Sequence, residues 1–132
     1  MKISGNINLP GDKSISHRAL MFASLANGEC VIHNISTGED VESTRKCLAQ
    51  CGIQSTKLEN KVKITGGAFS IPSRPLDCGN SGTTIRLLAG LLSGKGIAAE
   101  FIGDDSLSMR PMNRIIEPLI EMGVKIDSKN GY

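Results

Sequence analysis

Two short segments of the chain carry residue types that suit anion binding at the start of a helix. One runs from Gly11 to Arg18 and the other from Asn80 to Arg86, and each has small hydroxyl residues followed by an arginine one turn later. The unpaired N–H groups and positive dipole of a helix N-terminus attract phosphate or carboxylate, and Lys13 adds a further positive charge. The pattern predicts two anion-binding helix ends and a substrate with several negative groups.

The two segments hold equivalent places in a predicted internal duplication. Equivalent positions coincide at an offset of 68 residues early in each half and 71 later, as the following pairs show: Arg18 with Arg86, Gly28 with Gly96, and Gly52-Ile53 with Gly123-Val124. Each half is predicted to run helix, strand, loop, helix, glycine, strand, with the three extra residues in the second loop, near Ser106 to Arg110.

Composition and charge narrow the class of protein. The 132 residues, of which 39% are hydrophobic and 3% aromatic, suffice for one domain whose core is filled by aliphatic side chains. A net charge of +2 favours neither nucleic acid nor a membrane surface as a partner, and no apolar run approaches the roughly 20 residues of a membrane span. Since the N-terminus also lacks the apolar stretch of a signal peptide, we expect a cytoplasmic protein.

The cysteines are expected to be reduced thiols with a structural role. None has the spacing of a CxxC pair, and His33 has no partner at ligand spacing, so neither a disulfide framework nor a metal site is predicted. Cys47 and Cys51 lie one turn apart on one predicted helix, which core packing explains.

Hydrophobic periodicity predicts the elements of a first unit, residues 13–66, that follows a first strand within residues 1–12. These elements are a strand over Met1–Leu9, a helix capped by Ser14 with apolar residues at Ile15, Ala19, Phe22, Ala23 and Ala26, a strand over Cys30–His33, a helix opened by Thr37–Asp40, and a hairpin of Ile53–Leu58 and Lys61–Thr65 around Glu59-Asn60. The second helix is expected to end at Gly52. Its inward face is predicted to consist of Val41, Thr44, Leu48 and Cys51.

A connection over residues 67–80, of turn composition, leads to a second unit over residues 81–132. Its predicted elements are a helix over Ser81–Leu92 that is apolar nearly all round, a strand over Ile97–Ile102, a loop over Gly103–Ser106, a helix with Pro111 at its first position, and a strand over Val124–Asp127. That last helix is expected to face inward through Met112, Ile115, Ile116, Leu119 and Ile120. Asn130-Gly131 favours a hairpin turn whose return strand is missing, so we expect a piece of a longer protein.

Three segments in this order resemble the 5-enolpyruvylshikimate-3-phosphate (EPSP) synthase family: Leu9–Leu20, Gly79–Arg86 and Asp105–Met112. The resemblance covers Met1–Tyr132, about the first third of a typical family member. It implies an α/β (α+β) fold of six repeated βαβαββ units in two lobes, the inside-out α/β barrel of enolpyruvyl transferases. This chain would hold about one and a half to two units, and its first strand would belong with the other lobe.

The resemblance also implies a transferase of chorismate and aromatic amino-acid biosynthesis. Such an enzyme moves the enolpyruvyl group of phosphoenolpyruvate to the 5-hydroxyl of shikimate 3-phosphate and releases phosphate. This path requires a proton for C3 of phosphoenolpyruvate while the hydroxyl attacks C2, and positive charge around the phosphates and carboxylates. The implied partners are these two small molecules and the remainder of the polypeptide, without nucleic acid, membrane, metal or cofactor.

Residue by residue, the resemblance implies a site shared by both segments. Lys13 matches the family lysine between the two substrates, with a role in charge stabilisation and proton transfer. Ser14 and Arg18, with Lys13, match residues that hold shikimate 3-phosphate, since a guanidinium can grip a carboxylate with two hydrogen bonds. Ser14 fits a plain helix cap equally well.

For phosphoenolpyruvate, the resemblance implies contacts with Lys13, Asn80, Gly82, Thr83 and Arg110. A glycine at Gly82 would let the backbone approach a ligand where a methyl group would intrude, although a capped helix start also explains this stretch. A further arginine, Arg86, is expected to order neighbouring loops or acidic side chains rather than to contact a ligand.

Other interpretations give these residues ordinary roles. His17 is expected to be a helix residue with a satisfied ring, and Asp12, Asp104 and Asp105 to be loop or capping residues rather than a magnesium site. The spacing from Gly5 to Lys13 does not fit a nucleotide phosphate loop.

Two alternative functions stay open, a UDP-N-acetylglucosamine-type enolpyruvyl transferase and a non-catalytic folding or complementation module. The first typically has asparagine where Ser14 follows the lysine. Because the family's proton-handling acids lie beyond position 132, the chain alone is expected to be inactive.

Overall fold

A computed structural model describes residues 3–129 and Gly131. Its helices and strands are, in chain order, α1 (Lys13–Leu25), β1 (Gly28–His33), α2 (Glu39–Gln50), β2 (Gln54–Leu58), β3 (Lys61–Gly66), β4 (Leu76–Asp77), α3 (Gly82–Gly94), β5 (Phe101–Ile102), α4 (Asp105–Ser108) and α5 (Asn113–Glu121). Strands β1, β3 and β2 form an antiparallel sheet in that order, and β4 pairs with β5 in parallel. The mixed helix and strand architecture agrees with the predicted fold class.

The antiparallel sheet is organised around β3, its central strand. The predicted hairpin is confirmed: Leu58 pairs with Lys61, and Glu59 in the turn takes a positive φ of 36°. Alternation along β3 buries Val62 and Ile64 while the residues between them face outward. Helix α1 packs across this buried face, and α2 packs against α1.

The core lies between this sheet and the three helices α1, α2 and α3. Aliphatic side chains are the main group among its largest fully buried residues, as the composition predicts: Leu20, Leu48, Ile64, Leu76, Leu88, Leu92 and Val62. The predicted inner stripe of α2 is confirmed, because Val41, Thr44, Leu48 and Cys51 are all buried. Helix α3 is buried along one face only, since Leu87 is 38% exposed, so the expectation of burial on most sides is wrong.

Helix α1 differs from its prediction in both its cap and its buried face. Asp12, and not Ser14, is the N-cap, because its carboxylate accepts a hydrogen bond from Ile15 N at 2.8 Å. Ile15 and Phe22 are 65% and 67% exposed, whereas His17 and Ser24 are fully buried. Both of these buried polar side chains have a hydrogen-bond partner inside the fold. Because these bonds replace bonds to water, the partly polar face of α1 can be buried.

Three predicted strands are absent or shorter in the structure. Residues 3–12 and 124–128 have no regular secondary structure, and the predicted strand over Ile97–Ile102 is reduced to the two residues of β5. A strand requires a neighbour that accepts its backbone hydrogen bonds, and none of the described residues pairs with the first two segments. The predicted turn at Asn130-Gly131 includes Asn130, which lies outside the described residues.

The second unit departs from its prediction around its long loop. Strand β4 lies within the stretch predicted to be a plain connection, and residues 105–108 form α4 instead of a loop. Helix α5 begins at Asn113 with Met112 as N-cap, so Pro111 precedes the helix rather than opening it. The inward face of α5 is only partly confirmed: Met112 is buried, but Ile120 is 49% exposed.

The duplication is visible in the backbone. Gly28 and Gly96 have φ values of 103° and 67°, and Gly52 and Gly123 have φ values of 90° and 92°. These values lie in the left-handed region that glycine adopts without steric cost. Gly52 and Gly123 each follow the C-cap of a helix, α2 and α5, whereas Gly96 follows the C-cap of α3 and Gly28 is the first residue of β1.

Candidate anion-binding site

The first turns of α1 and α3 line one cavity of about 230 Å³. Helix α1 contributes Ser14 and Arg18, and helix α3 contributes Gly82, Thr83, Arg86 and Leu87. The fold thus brings together four residues that the sequence assigned to two different substrates, and it places two guanidinium groups beside two helix N-termini. Such a cavity attracts ligands with several negative charges.

Two arginines converge on Gly82, the first residue of α3. A Cβ atom added to Gly82 would lie 2.9 Å from Arg86 Nη1 and 3.3 Å from Arg110 Nη1. The absent side chain therefore leaves room for guanidinium groups, which differs from the expectation that it leaves room for a ligand alone. Arg110 reaches this point from the loop after α4, although it does not line the cavity itself.

Neither arginine of this pair forms a direct ion pair with a carboxylate among the described residues. Arg86 Nη2 donates to the backbone carbonyl of Pro111 at 3.4 Å, a contact of the kind expected of a residue that orders a loop. Arg110 Nη2 donates to Asn80 Oδ1 and, at 3.5 Å, to Ser106 Oγ. Their positive charge is available to an anion at the α3 N-terminus.

Asn80 joins this arginine to Asp104. The Asn80 amide donates to Asp104 Oδ2 at 2.7 Å, while the other oxygen of the same carboxylate accepts from Leu107 N at 2.7 Å and caps α4. The hydrogen bond from Asn80, then that from Leu107 N, lowers the pKa of Asp104. The capping role expected for Asp104 is confirmed, and the bond to Asn80 was not predicted.

Lys13 lies at the first position of α1, outside the lining of the cavity. Its Nζ forms an ion pair with Asp40 Oδ2 at 2.9 Å, and its side chain is 56% exposed. Asp40 lies in the first turn of α2, so this ion pair connects the N-terminal turns of two helices. Sequence reasoning did not identify Asp40 as a partner, because helix-start carboxylates are also common where no lysine is near.

Beneath the cavity, a chain of buried side chains connects α1, α2 and α3. His17 Nδ1 lies 2.7 Å from Thr44 Oγ1, which lies 2.7 Å from Thr84 Oγ1, which in turn lies 2.7 Å from Ser81 Oγ. Ser81 is the N-cap of α3 and accepts from Thr84 N at 3.1 Å. The sequence signal for this network is Thr44, a threonine inside the otherwise apolar inner stripe of α2.

The ring of His17 is only half satisfied. Its Nε2 is buried and has no hydrogen-bond partner among the described residues, which contradicts the expectation of a satisfied ring. Burial lowers the pKa of His17, since the charged form would lose its water, and this outweighs the opposing effect of nearby Asp40. The lowered pKa favours the neutral form of the imidazole.

Other kinds of site find no support in the described part of the chain. No group of three or more histidine, cysteine, aspartate or glutamate side chains is placed to hold a metal ion. None of the helices within residues 3–129 is both long and apolar enough to cross a membrane. The four cysteines are free thiols, of which Cys47, Cys51 and Cys78 are buried.

Comparison with known proteins identifies the family. The family model for EPSP synthase (3-phosphoshikimate 1-carboxyvinyltransferase) matches residues 1–132. The 3-phosphoshikimate 1-carboxyvinyltransferases of Streptococcus uberis and Streptococcus gordonii are 48% and 50% identical over 130 and 127 residues, or 96% and 94% of this chain. An EPSP synthase structure from Acinetobacter baumannii matches 96% of the chain with a TM-score of 0.85 and 36% identity.

The chain spans about 30% of the length of each of these relatives. Within that span, the sequence matches the family model throughout and the backbone matches the solved structure over 96% of the chain. The chain belongs to the EPSP synthase family.

Proposed function

We propose that this chain forms part of a 3-phosphoshikimate 1-carboxyvinyltransferase. The observation that carries the proposal is the convergence of Arg86 and Arg110 on Gly82, next to the cavity that Ser14 and Arg18 line from α1. Phosphoenolpyruvate and shikimate 3-phosphate each carry a phosphate and a carboxylate. Two neighbouring helix ends with guanidinium groups match two such substrates side by side.

The proposed roles follow from the position of each residue. Ser14 and Arg18, on the α1 side of the cavity, bind shikimate 3-phosphate together with Lys13. Asn80, Gly82, Thr83 and Arg110, around the start of α3, bind phosphoenolpyruvate, again with Lys13 alongside. Arg86 supplies additional positive charge while its contact with Pro111 orders the loop.

The reaction requires groups that hold developing charge in place. The 5-hydroxyl group gives up its proton as its oxygen forms a bond to C2 of phosphoenolpyruvate, and C3 gains a proton, which gives a tetrahedral ketal. The C2–O bond to phosphate then breaks, C3 gives up a proton, and inorganic phosphate leaves. Arginine and lysine side chains fixed around the phosphate stabilise the charge that it carries as it leaves.

Lys13 is proposed to act between the two substrates, which requires a change of partner. In the structure its Nζ contacts Asp40 Oδ2 at 2.9 Å. An exposed ion pair of this kind is weak, so a phosphate or carboxylate oxygen can displace Asp40 at small cost. The ammonium then lies where it can stabilise charge or transfer a proton.

The proposed setting is the cytoplasm, and the proposed partners are the two substrates and the rest of an enolpyruvyl transferase. The four free thiols suit a reducing compartment. Ser14, in place of the asparagine typical of UDP-N-acetylglucosamine-type enzymes, favours the shikimate substrate.

Substrate titration of the isotope-labelled chain tests the proposal. Phosphoenolpyruvate is expected to shift the amide resonances of Gly82 and Thr83, and shikimate 3-phosphate those of Ser14 and Arg18. The matched variants are Arg110→Gln, which should weaken the phosphoenolpyruvate response, and Arg114→Gln on exposed α5, which should not. A wild-type chain whose resonances ignore both substrates, or respond equally to inorganic phosphate, would contradict the proposal.

Turnover provides a second test. The chain alone is expected to release no phosphate from the two substrates. Joined to the remaining part of the Streptococcus gordonii relative, with which it shares 50% identity, it is expected to form an active hybrid enzyme. Turnover by the chain alone would show that other portions of the enzyme are dispensable, and an inactive hybrid that binds neither substrate would favour a non-catalytic module.

A further inference from the structure

We infer that Asp104 is a positioning residue for phosphoenolpyruvate, which it controls through Asn80 and Arg110 without contacting the substrate. The inference rests on the proposed function, because it names a residue that aims one of the proposed substrate-binding groups. The sequence assigned Asp104 only a loop or capping role.

The two oxygens of the Asp104 carboxylate serve different elements. Oδ1 accepts from Leu107 N at 2.7 Å and holds the start of α4, which precedes Arg110 in the chain. Oδ2 accepts from the Asn80 side chain at 2.7 Å, just before the start of α3. One carboxylate thus fixes both the loop that carries Arg110 and the side chain to which Arg110 binds.

Donor and acceptor chemistry gives this chain of contacts a single direction. A carboxylate only accepts hydrogen bonds and a guanidinium only donates them, whereas an amide has one end of each kind. Asn80 must therefore turn its NH₂ group toward Asp104 and its oxygen toward Arg110 Nη2. If Asp104 could not accept, nothing would prevent the amide from turning its NH₂ group toward the arginine.

The backbone holds the two ends of this contact in register. Strands β4 and β5 run in parallel, with Cys78 N donating to Ile102 O at 2.9 Å and Asp104 N donating to Gly79 O at 2.9 Å. Asn80 and Asp104 therefore lie close together, just beyond the adjacent ends of β4 and β5. A Cβ atom on Gly103 would lie 2.8 Å from Gly79 O, so only glycine permits this close approach.

The variant Asp104→Asn separates the two functions of the carboxylate. Asparagine is as good an N-cap as aspartate, so its oxygen can still cap α4. Its NH₂ group then faces the NH₂ group of Asn80, and two donors cannot form a hydrogen bond with each other. The bond between the two side chains is restored only if the Asn80 amide turns its oxygen toward residue 104, and therefore away from Arg110. Asp105→Asn is the matched control, because it removes the same charge one position away, from an exposed side chain without a hydrogen bond in the described structure.

The test uses the hybrid enzyme and a readout of each substrate. Asp104→Asn is expected to raise the KM for phosphoenolpyruvate about tenfold, because Arg110 loses one charge-assisted contact with the substrate. The KM for shikimate 3-phosphate and the urea midpoint are expected to stay unchanged. In an Asn80→Ala background the same substitution should add no further loss, because the connection is already broken. Equal kinetics for Asp104→Asn and Asp105→Asn would overturn the inference, as would a rise in both KM values accompanied by a lower urea midpoint.

A substrate-free measurement separates this inference from the proposed function. In the labelled 132-residue chain, Asp104→Asn is expected to shift the Arg110 Nε–H resonance, whereas Asp105→Asn is not. An unmoved resonance would overturn the positioning role even if the hybrid enzyme is active. A shifted resonance in a protein that binds no phosphoenolpyruvate would leave the connection intact and refute the function.

Discussion

The hydroxyl of Thr44 on α2 and the hydroxyl of Thr84 on α3 lie 2.7 Å apart, and both side chains are fully buried. Through this contact, two helices that lie on either side of the connection between the units share one polar network. The network ends at Ser81, the N-cap of α3, and therefore next to the candidate anion-binding cavity, which Gly82 lines. Stability and site geometry are coupled there.

Thr44→Val keeps the volume of the side chain but removes the hydroxyl that both His17 Nδ1 and Thr84 Oγ1 contact. Because this leaves a buried ring nitrogen without a partner, we expect the free energy of unfolding to fall by about 1–3 kcal/mol. Urea denaturation measures the change. Thr37→Val, at an exposed position, is the control and should alter stability by less than about 0.5 kcal/mol. Equal effects would show that the buried network contributes nothing.

His17 makes the stability of the fold depend on pH. Its folded-state pKa lies below the ordinary value of 6.5 because of burial, so below pH 6.5 the unfolded chain binds a proton that the folded chain excludes. The free energy of unfolding should therefore fall as pH decreases below 6.5. Urea midpoints measured between pH 8 and pH 5 report this decline.

His17→Gln should flatten that pH profile, and His33→Gln, at the exposed end of β1, should leave it as in the wild type. The carboxylates with lowered pKa values act in a more acidic range. The pKa of Glu42 is held below 4.5 by its hydrogen bond with Arg45, so its stabilisation is lost only as pH falls below that value. An unchanged slope near pH 6 in His17→Gln would contradict the assignment.

Gly82→Ala tests the space that Arg86 and Arg110 occupy. The new methyl group would lie 2.9 Å and 3.3 Å from their Nη1 atoms, so the guanidinium groups must move and the affinity for phosphoenolpyruvate should fall about tenfold. Isothermal titration measures this affinity. Gly90→Ala lies on the same helix with nothing within 4 Å of the added Cβ, so it should keep the affinity and stabilise the helix by about 0.5–1 kcal/mol. Unaltered binding in Gly82→Ala would disprove the steric argument.

Lys13→Gln should separate activity from stability. The ion pair of Lys13 with Asp40 is partly exposed, so its loss should cost less than about 1 kcal/mol, whereas turnover by the hybrid enzyme should fall by at least about 100-fold. Lys63→Gln breaks a similar exposed pair, with Glu29 at 2.7 Å, on the sheet. This control should lose equally little stability and keep its activity. Comparable turnover in both variants would remove Lys13 from the mechanism.

Local signals predicted the local structure well. The α2 stripe from Val41 to Cys51 and the hairpin around Glu59-Asn60 depend on neighbours in sequence, and both are confirmed. The left-handed Gly52 was also predictable, because the end of a helix favours glycine in that backbone conformation. The order of three short segments sufficed to indicate the family.

Features that depend on distant partners were not predictable from pattern. Alternation at residues 3–9 does not create a strand without a neighbour, and the polar face of α1 is buried only because Thr44 and other groups satisfy it. The convergence of Arg86 and Arg110 requires the pairing of β4 with β5, each only two residues long, which is too short to give a periodic signal. Composition cannot reveal such a contact.

The duplicated glycines leave the two halves alike, but the loop between them is three residues longer in the second half. The longer loop holds α4 and delivers Arg110 to the start of α3, whereas the shorter loop, residues 34–38, delivers no arginine to the start of α1. The predicted internal symmetry is therefore broken at the two helix starts. If two dissimilar acids bind there, as proposed, they meet unlike surroundings, so we expect each to have one preferred position and the pair to have one mutual orientation.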